Sequence, residues 1–197
     1  MNASVMPPSE LRRLFDRLAA KAPEIAATSA EVRAEKLRKL LAAVMAARPA
    51  ILAAGRKELR LSDLDIDAQL LMVKGEVDFI AKHLHGWVGR EQIQGTLMTL
   101  GKQCYVQYEP KGVVLNLATW NAPIAIGLVP LMGAIAAGCT MALKPSELAP
   151  ESAQVLAEIV AKVFPEDEFA VLQGGPEVAQ ELLTLPFNRS EEHTSEL

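Results

Sequence analysis

The sequence predicts an α/β fold in which a parallel sheet with helical crossovers follows a helical segment and a β-hairpin. Three observations predict it. Apolar residues recur at helical spacing through residues 1–94, a composition shift near Gly95 introduces β-branched and aromatic residues, and from residue 113 onward short apolar runs alternate with helical segments. That last alternation requires helical crossovers between parallel strands, and such sheets place ligands beyond the carboxyl ends of their strands.

Each element follows from its pattern. Residues 9–21 form a helix through Leu11, Leu14, Phe15 and Leu18, and residues 29–48 form another through Leu37, Leu40, Leu41, Val44 and Met45, with Glu35, Lys36, Arg38 and Lys39 on the opposite side. Residues 67–84 repeat the pattern through Leu70, Val73, Val77, Ile80 and Leu84. TLMTL, a Gly-Lys turn and QCYVQYEP read as a hairpin over residues 95–111. VVLNLA, residues 113–118, is nearly continuous in apolar character, as a strand buried on both faces would be. Pro123 suits a first helical turn, residues 124–137 are apolar on almost every side, Pro130 should kink that helix, and Gly138 should end it. CTMALKP, residues 151–164, FAVLQ and residues 176–185 then read as strand, helix, strand and helix.

Composition narrows the function. The chain has 197 residues, a net charge of −4 and half its residues apolar, enough for a packed core and without the basic surface that nucleic acid or an anionic membrane would attract. The start, MNASVMPPSELRRLF, has no apolar export segment, and the apolar stretch over residues 122–143 is interrupted by prolines and glycines, so neither secretion nor membrane spanning is expected. Two cysteines, Cys104 and Cys139, make neither a zinc-ligand spacing nor a disulfide scaffold, which fits a cytoplasmic location. Cys139 reads as a small core residue on a buried strand, and Cys104 has no histidine nearby in sequence. His83 and His85, two apart, do not share a helix face for a metal.

Three motifs fall at strand ends: Thr119-Trp120-Asn121, Lys144-Pro145-Ser146-Glu147 and Gly174-Gly175. By spacing alone, Asn121 reads as a helix N-cap before a Pro-started helix, Lys144 and Glu147 as solvated charges in a turn, and Gly175 as a turn residue. No G-x-G-x-x-G is present.

In order and together, these motifs within YEPKGVVLNLATWNAPIAIGLVPLMGAIAAGCTMALKPSELAPESAQVLAEIV closely resemble the coenzyme domain of aldehyde dehydrogenases, a family that binds its dinucleotide without that glycine pattern. The similarity is densest over residues 108–188, and Thr119 with VFPEDEFAVLQGG leans toward the class 3 and coniferyl-aldehyde branch. The resemblance implies an incomplete Rossmann-like NAD-binding domain over residues 112–188, and oxidation of an aldehyde to a carboxylic acid with NAD(P) through a thiohemiacetal and an acyl-enzyme. It implies that Asn121 donates to the oxyanion, that Lys144 and Glu147 bind the adenosine ribose hydroxyls, that Thr119 and Trp120 border the coenzyme, and that Gly175 lets a helix approach it. Glu147 favours NAD over NADP by repelling a 2′-phosphate, although this branch often accepts both. Ala122 departs from the pattern, standing where an aromatic is usual beside the substrate tunnel. Homodimers or homotetramers are the family's assemblies.

The family continues past LPFN with F-T-G-S, an acid in E-L-G-G and a cysteine nucleophile, and none of these motifs occurs in the chain. Residues 189–197, RSEEHTSEL, instead read as a non-native polar tail resembling a translated sequencing adapter. The expectation is therefore an inactive portion of an enzyme, poorly behaved in isolation because apolar helix faces and a sheet edge stay open. The rivals are a noncatalytic chain that binds a dinucleotide or a full-length subunit, and a portion of a CoA-linked aldehyde oxidoreductase.

Overall fold

The computed structural model describes residues 6–192; the first residues of the expected unexported start and residues 193–197 of the expected tail lie outside the described residues. Four helices lead the chain: α1 (Pro8–Ala26), α2 (Ala30–Ala46), α3 (Arg48–Leu59) and α4 (Asp63–Val88). Ser29 caps α2 by accepting from the Val32 amide. Ser62 and Asp65 form a reciprocal capping box that starts α4 four residues before the expected Asp67. Helix α3 is a correction to the sequence reading, which stopped its second helix at Arg48. Ala47 ends α2 through its amide and opens α3 through its carbonyl, so the chain turns and re-enters a helix with Pro49 in the first turn.

The hairpin is present but displaced. Strands β1 (Glu91–Gln92) and β2 (Tyr105–Val106) pair antiparallel, Glu91 opposite Val106, so its first arm lies upstream of the expected residue 95. TLMTL forms a 3-10 turn, Leu97–Thr99, rather than a strand. Thr99 Oγ1 accepts from the Thr96 amide at 2.8 Å and donates to the Thr96 carbonyl at 3.0 Å, satisfying locally the groups a ladder would have used.

The remaining elements are β3 (Val113–Leu117), α5 (Pro123–Ala137), β4 (Thr140–Lys144), α6 (Pro150–Val163), β5 (Phe169–Val171), α7 (Pro176–Leu183) and β6 (Arg189–Glu192). The four strands form one parallel sheet in the order β5-β4-β3-β6. Strand β6 takes up residues 189–192 of the stretch expected to be a non-native polar tail. Asn188 aligns it: its amide donates to Val113 O at 2.9 Å, while its Oδ1 accepts from the Val113 amide at 2.9 Å. Ladder bonds beyond that point use backbone groups alone, so the polar residues Arg189, Ser190 and Glu191 can occupy the open edge of β3.

Alternation along the strands divides two cores. Val114, Met141 and Phe169 face α2, α4, α5 and α6, whereas Val113, Leu115, Ala142 and Ala170 face α1 and α7. The helical segment is thus continuous with the sheet's core, each fully buried Leu or Ile contributing about 1.5–3 kcal/mol. Arg33 joins helix ends from within: its guanidinium donates to Ala136 O at 3.0 Å, Ala26 O at 2.9 Å and Thr28 Oγ1 at 3.1 Å. Burial pulls this guanidinium below its ordinary pKa. Gly138 closes α5 at φ +77°, and a Cβ there would lie 2.4 Å from Arg33 Nη2, so both conformation and space demand glycine.

Candidate coenzyme site

Three loops leave the carboxyl ends of adjacent strands: residues 118–122 after β3, 145–149 after β4 and 172–175 after β5. Two backbone bonds align them, Ala118 N to Lys144 O at 3.0 Å and Leu172 N to Leu143 O at 2.8 Å. With neighbouring strands about 4.8 Å apart, the motifs separated in sequence emerge on one edge of the sheet.

Lys144 is the last residue of β4 and its side chain is only 5% exposed. Burying an ammonium is costly unless its donors are used. Here Nζ donates to Glu147 Oε2 at 2.8 Å and to Pro145 O at 3.2 Å. The Glu147 side chain remains 39% exposed. Partial burial raises its carboxyl pKa, but the hydrogen bond from Lys144, its own backbone amide and the Lys144 charge together outweigh burial and hold it below the ordinary value. The edge therefore offers a desolvated cation beside an ionised acceptor. A ribose diol can accept from the first and donate to the second.

Asn121 does not cap α5. The N-cap position is Ala122, without a side-chain cap bond, and Asn121 Oδ1 instead accepts from Thr119 Oγ1 at 2.6 Å. This bond occupies the carbonyl end of the amide and leaves the Nδ2 donors without a partner among the described residues, on an exposed loop. Trp120 between them is 42% exposed. In the third loop it is Gly174, rather than Gly175, that the geometry demands: its φ is +151°, and a Cβ would lie 2.4 Å from Val178 Cγ2. At Gly175 a Cβ would meet the flexible Glu177 carboxylate, which accepts from the Gly175 amide at 3.0 Å.

Sequence reasoning missed Glu58. From α3 it accepts from the Ser152 amide at 3.0 Å and Ser152 Oγ at 2.7 Å, and also from the Glu151 amide, thereby capping α6 directly after the Lys144–Glu147 turn. The only sequence signal was the absence of a local cap at Ala149; a partner from another helix is set by tertiary structure. A large open cleft lies elsewhere, near the amino ends of the strands, bounded by Glu31, His85, Trp87, Tyr108 and Pro110, and contains none of the motif residues. His85 there pairs with Glu31 at 2.6 Å, while His83 stacks on Trp87 and lies tilted against Phe79. Cys139 is 2% exposed beneath α5 and Cys104 lies half-buried by the hairpin. Among the described residues, no helix is long and apolar enough to cross a membrane.

The chain is 36% identical over 157 residues to aldehyde dehydrogenase family 3 member A2 of Macaca fascicularis, covering 79% of this chain and 32% of that protein. It is 37% identical over 120 residues to the dimeric NADP-preferring aldehyde dehydrogenase of Canis lupus familiaris, covering 61% of this chain and 26% of that protein. The chain thus spans about a third or less of the curated relatives it matches. Among solved structures, the substrate-bound state of Staphylococcus aureus AldH superposes with a TM-score of 0.87 at 30% identity, covering 91% of this chain and 40% of that one. The aldehyde dehydrogenase family model matches residues 4–188, nearly the whole length, and the chain therefore belongs to the aldehyde dehydrogenase family.

Proposed function

We propose that this chain is the coenzyme-binding, amino-terminal portion of an NAD(P)-dependent aldehyde dehydrogenase, a cytoplasmic homodimer or homotetramer that oxidises an aldehyde to a carboxylic acid. The observation that carries this reading is the buried Lys144 ammonium held against an ionised Glu147 at the end of β4, in a chain of this family. Lys144 donates to the adenosine ribose hydroxyls and Glu147 accepts from them. Thr119 and Trp120 border the dinucleotide, and Gly175 admits it close to the α7 backbone. When bound, the dinucleotide supplies the oxidant. Asn121, with its carbonyl end fixed by Thr119, directs its amide donors at the aldehyde oxygen as negative charge develops there.

Glu147 sets the preference for NAD, because a 2′-phosphate would meet its carboxylate; the NADP-preferring dog relative makes NADP the necessary comparison. The chain alone is inactive in this reading: Cys139 is buried against the sheet and Cys104 belongs to the hairpin, so neither serves as the attacking thiolate beside Asn121. The test combines purified chain, NAD or NADP, and a panel of short aliphatic and aromatic aldehydes. Dinucleotide-dependent stabilisation without reduction of the coenzyme is expected. Aldehyde-dependent reduction would overturn the assignment of inactivity, and the absence of any stabilisation would overturn the coenzyme site.

A further inference from the structure

Asn116 is a polar side chain in the centre of β3, fully buried, on the face that Val114 turns toward the apolar core and α5. Its Oδ1 has no hydrogen-bond partner, a costly arrangement for a buried carbonyl oxygen. Its Nδ2, by contrast, donates to the backbone carbonyl of Ile126 at 3.2 Å. Ile126 lies four residues before Pro130, which sits inside the unbroken helix α5 and has no amide hydrogen to give. Of the carbonyls in the first turns of α5, Ile126 O is therefore the one that proline deprives of its helical donor.

We propose that Asn116 is a positioning residue: its amide replaces the N–H missing at Pro130 and fastens the beginning of α5 to the middle of β3. The intervening loop, residues 118–122, is then fixed at both ends, by the Ala118 N to Lys144 O bond on the sheet and by the Asn116 to Ile126 bond on the helix. That loop carries Asn121, whose carbonyl end is already tied to Thr119. An amide used as an oxyanion donor must be held in place before charge develops, because donors that reorganise during the reaction lose most of their benefit. The inference rests on the reading of Asn121 as that donor.

The test is a double-mutant cycle of Asn116→Leu and Pro130→Ala. Leucine keeps the volume and removes the amide, whereas alanine restores an N–H that can satisfy Ile126 O within α5 without restoring the tie to β3. In the complete aldehyde-oxidising enzyme, Asn116→Leu is expected to lower kcat about ten-fold, the worth of one misplaced hydrogen bond, with the coenzyme KM unchanged. Pro130→Ala alone should leave kcat unchanged, since Ile126 O can accept from both donors, whereas the double variant should keep the loss of about ten-fold while its stability returns toward wild type. In the chain itself, the 15N resonance of the Asn121 side-chain amide should shift in Asn116→Leu and stay shifted in the double variant. A double variant that regains wild-type kcat would overturn the proposal, because satisfying Ile126 O would then suffice without the tie to β3, as would an Asn121 resonance that does not move. Asn121→Ala is the separating control: if it leaves kcat unchanged, the oxyanion reading fails, while the resonance cycle still reports whether Asn116 positions the loop.

Discussion

Replacing Lys144 with methionine separates what its ammonium does for the fold from what it does for a ligand. In the fold, the change removes the bonds to Glu147 Oε2 and Pro145 O while methionine fills the space of the aliphatic stem. Breaking a fully buried ion pair costs about 3–5 kcal/mol, but Glu147 is 39% exposed and can rehydrate. The expected loss of stability is accordingly about 1–2 kcal/mol. For the ligand, loss of a charge-assisted donor costs about 1.5–3 kcal/mol, or roughly 10- to 150-fold in affinity. Thermal unfolding at a fixed NAD concentration reads both. At a hundred times its dissociation constant, NAD stabilises wild type by about 2.7 kcal/mol; a variant with ten-fold weaker binding retains about 1.4 kcal/mol, and at the upper limit the stabilisation almost vanishes. Lys162→Met, at an exposed lysine in the last turn of α6, is the control. An NAD-induced shift in Lys144→Met equal to that of wild type would refute the assignment of Lys144 to the ribose.

Three further perturbations probe the same framework. Glu147→Gln should raise NADP affinity relative to NAD by about ten-fold in paired titrations, the removal of one like-charge contact. Because the folded-state pKa of Glu147 is depressed, its contribution to stability is present above the ordinary carboxyl value of 4.5 and is lost as pH falls through the lower folded value. Urea melts of wild type and Glu147→Gln should thus differ near neutrality by no more than about 1 kcal/mol, given the group's exposure, and converge in acid; divergence toward acid would contradict the sign. Gly174→Ala should destabilise by about 2–5 kcal/mol through its φ of +151° and the clash with Val178, with Val178→Ala recovering only the clash in the double variant's melt. Arg33→Met orphans the carbonyls of Ala26 and Ala136 and should cost about 3 kcal/mol or more in denaturant unfolding, a loss below about 1 kcal/mol being inconsistent with the buried bonds described.

Much of the sheet region was legible because its signals are local and redundant. Val113, Val114 and Leu115 can be read as a buried strand from apolarity alone, Pro123 and Gly138 mark the ends of α5, and the alternation that follows leaves only a parallel sheet. The hairpin was legible as a feature but not in its boundaries, since two-residue strands carry almost no periodicity and the Thr96–Thr99 side-chain bonds outweigh the β-propensity of TLMTL. Helix α3 escaped because Ala47 serves two helices at once. Strand β6 escaped because register there depends on Asn188 meeting Val113, a contact between residues distant in sequence. The motifs singled out Lys144 and Glu147 as candidates, but their mutual hydrogen bond, the tether from Thr119 to Asn121, the cap from Glu58 and the bond from Asn116 to Ile126 all require the folded backbone.

The most direct test is a crystal structure of the chain with NAD bound. Density is expected at the carboxyl ends of β3, β4 and β5, with the adenosine ribose hydroxyls within hydrogen-bonding distance of Lys144 Nζ and Glu147. Dinucleotide seated instead in the cleft beside His85 and Tyr108, or no density at millimolar NAD, would contradict this placement.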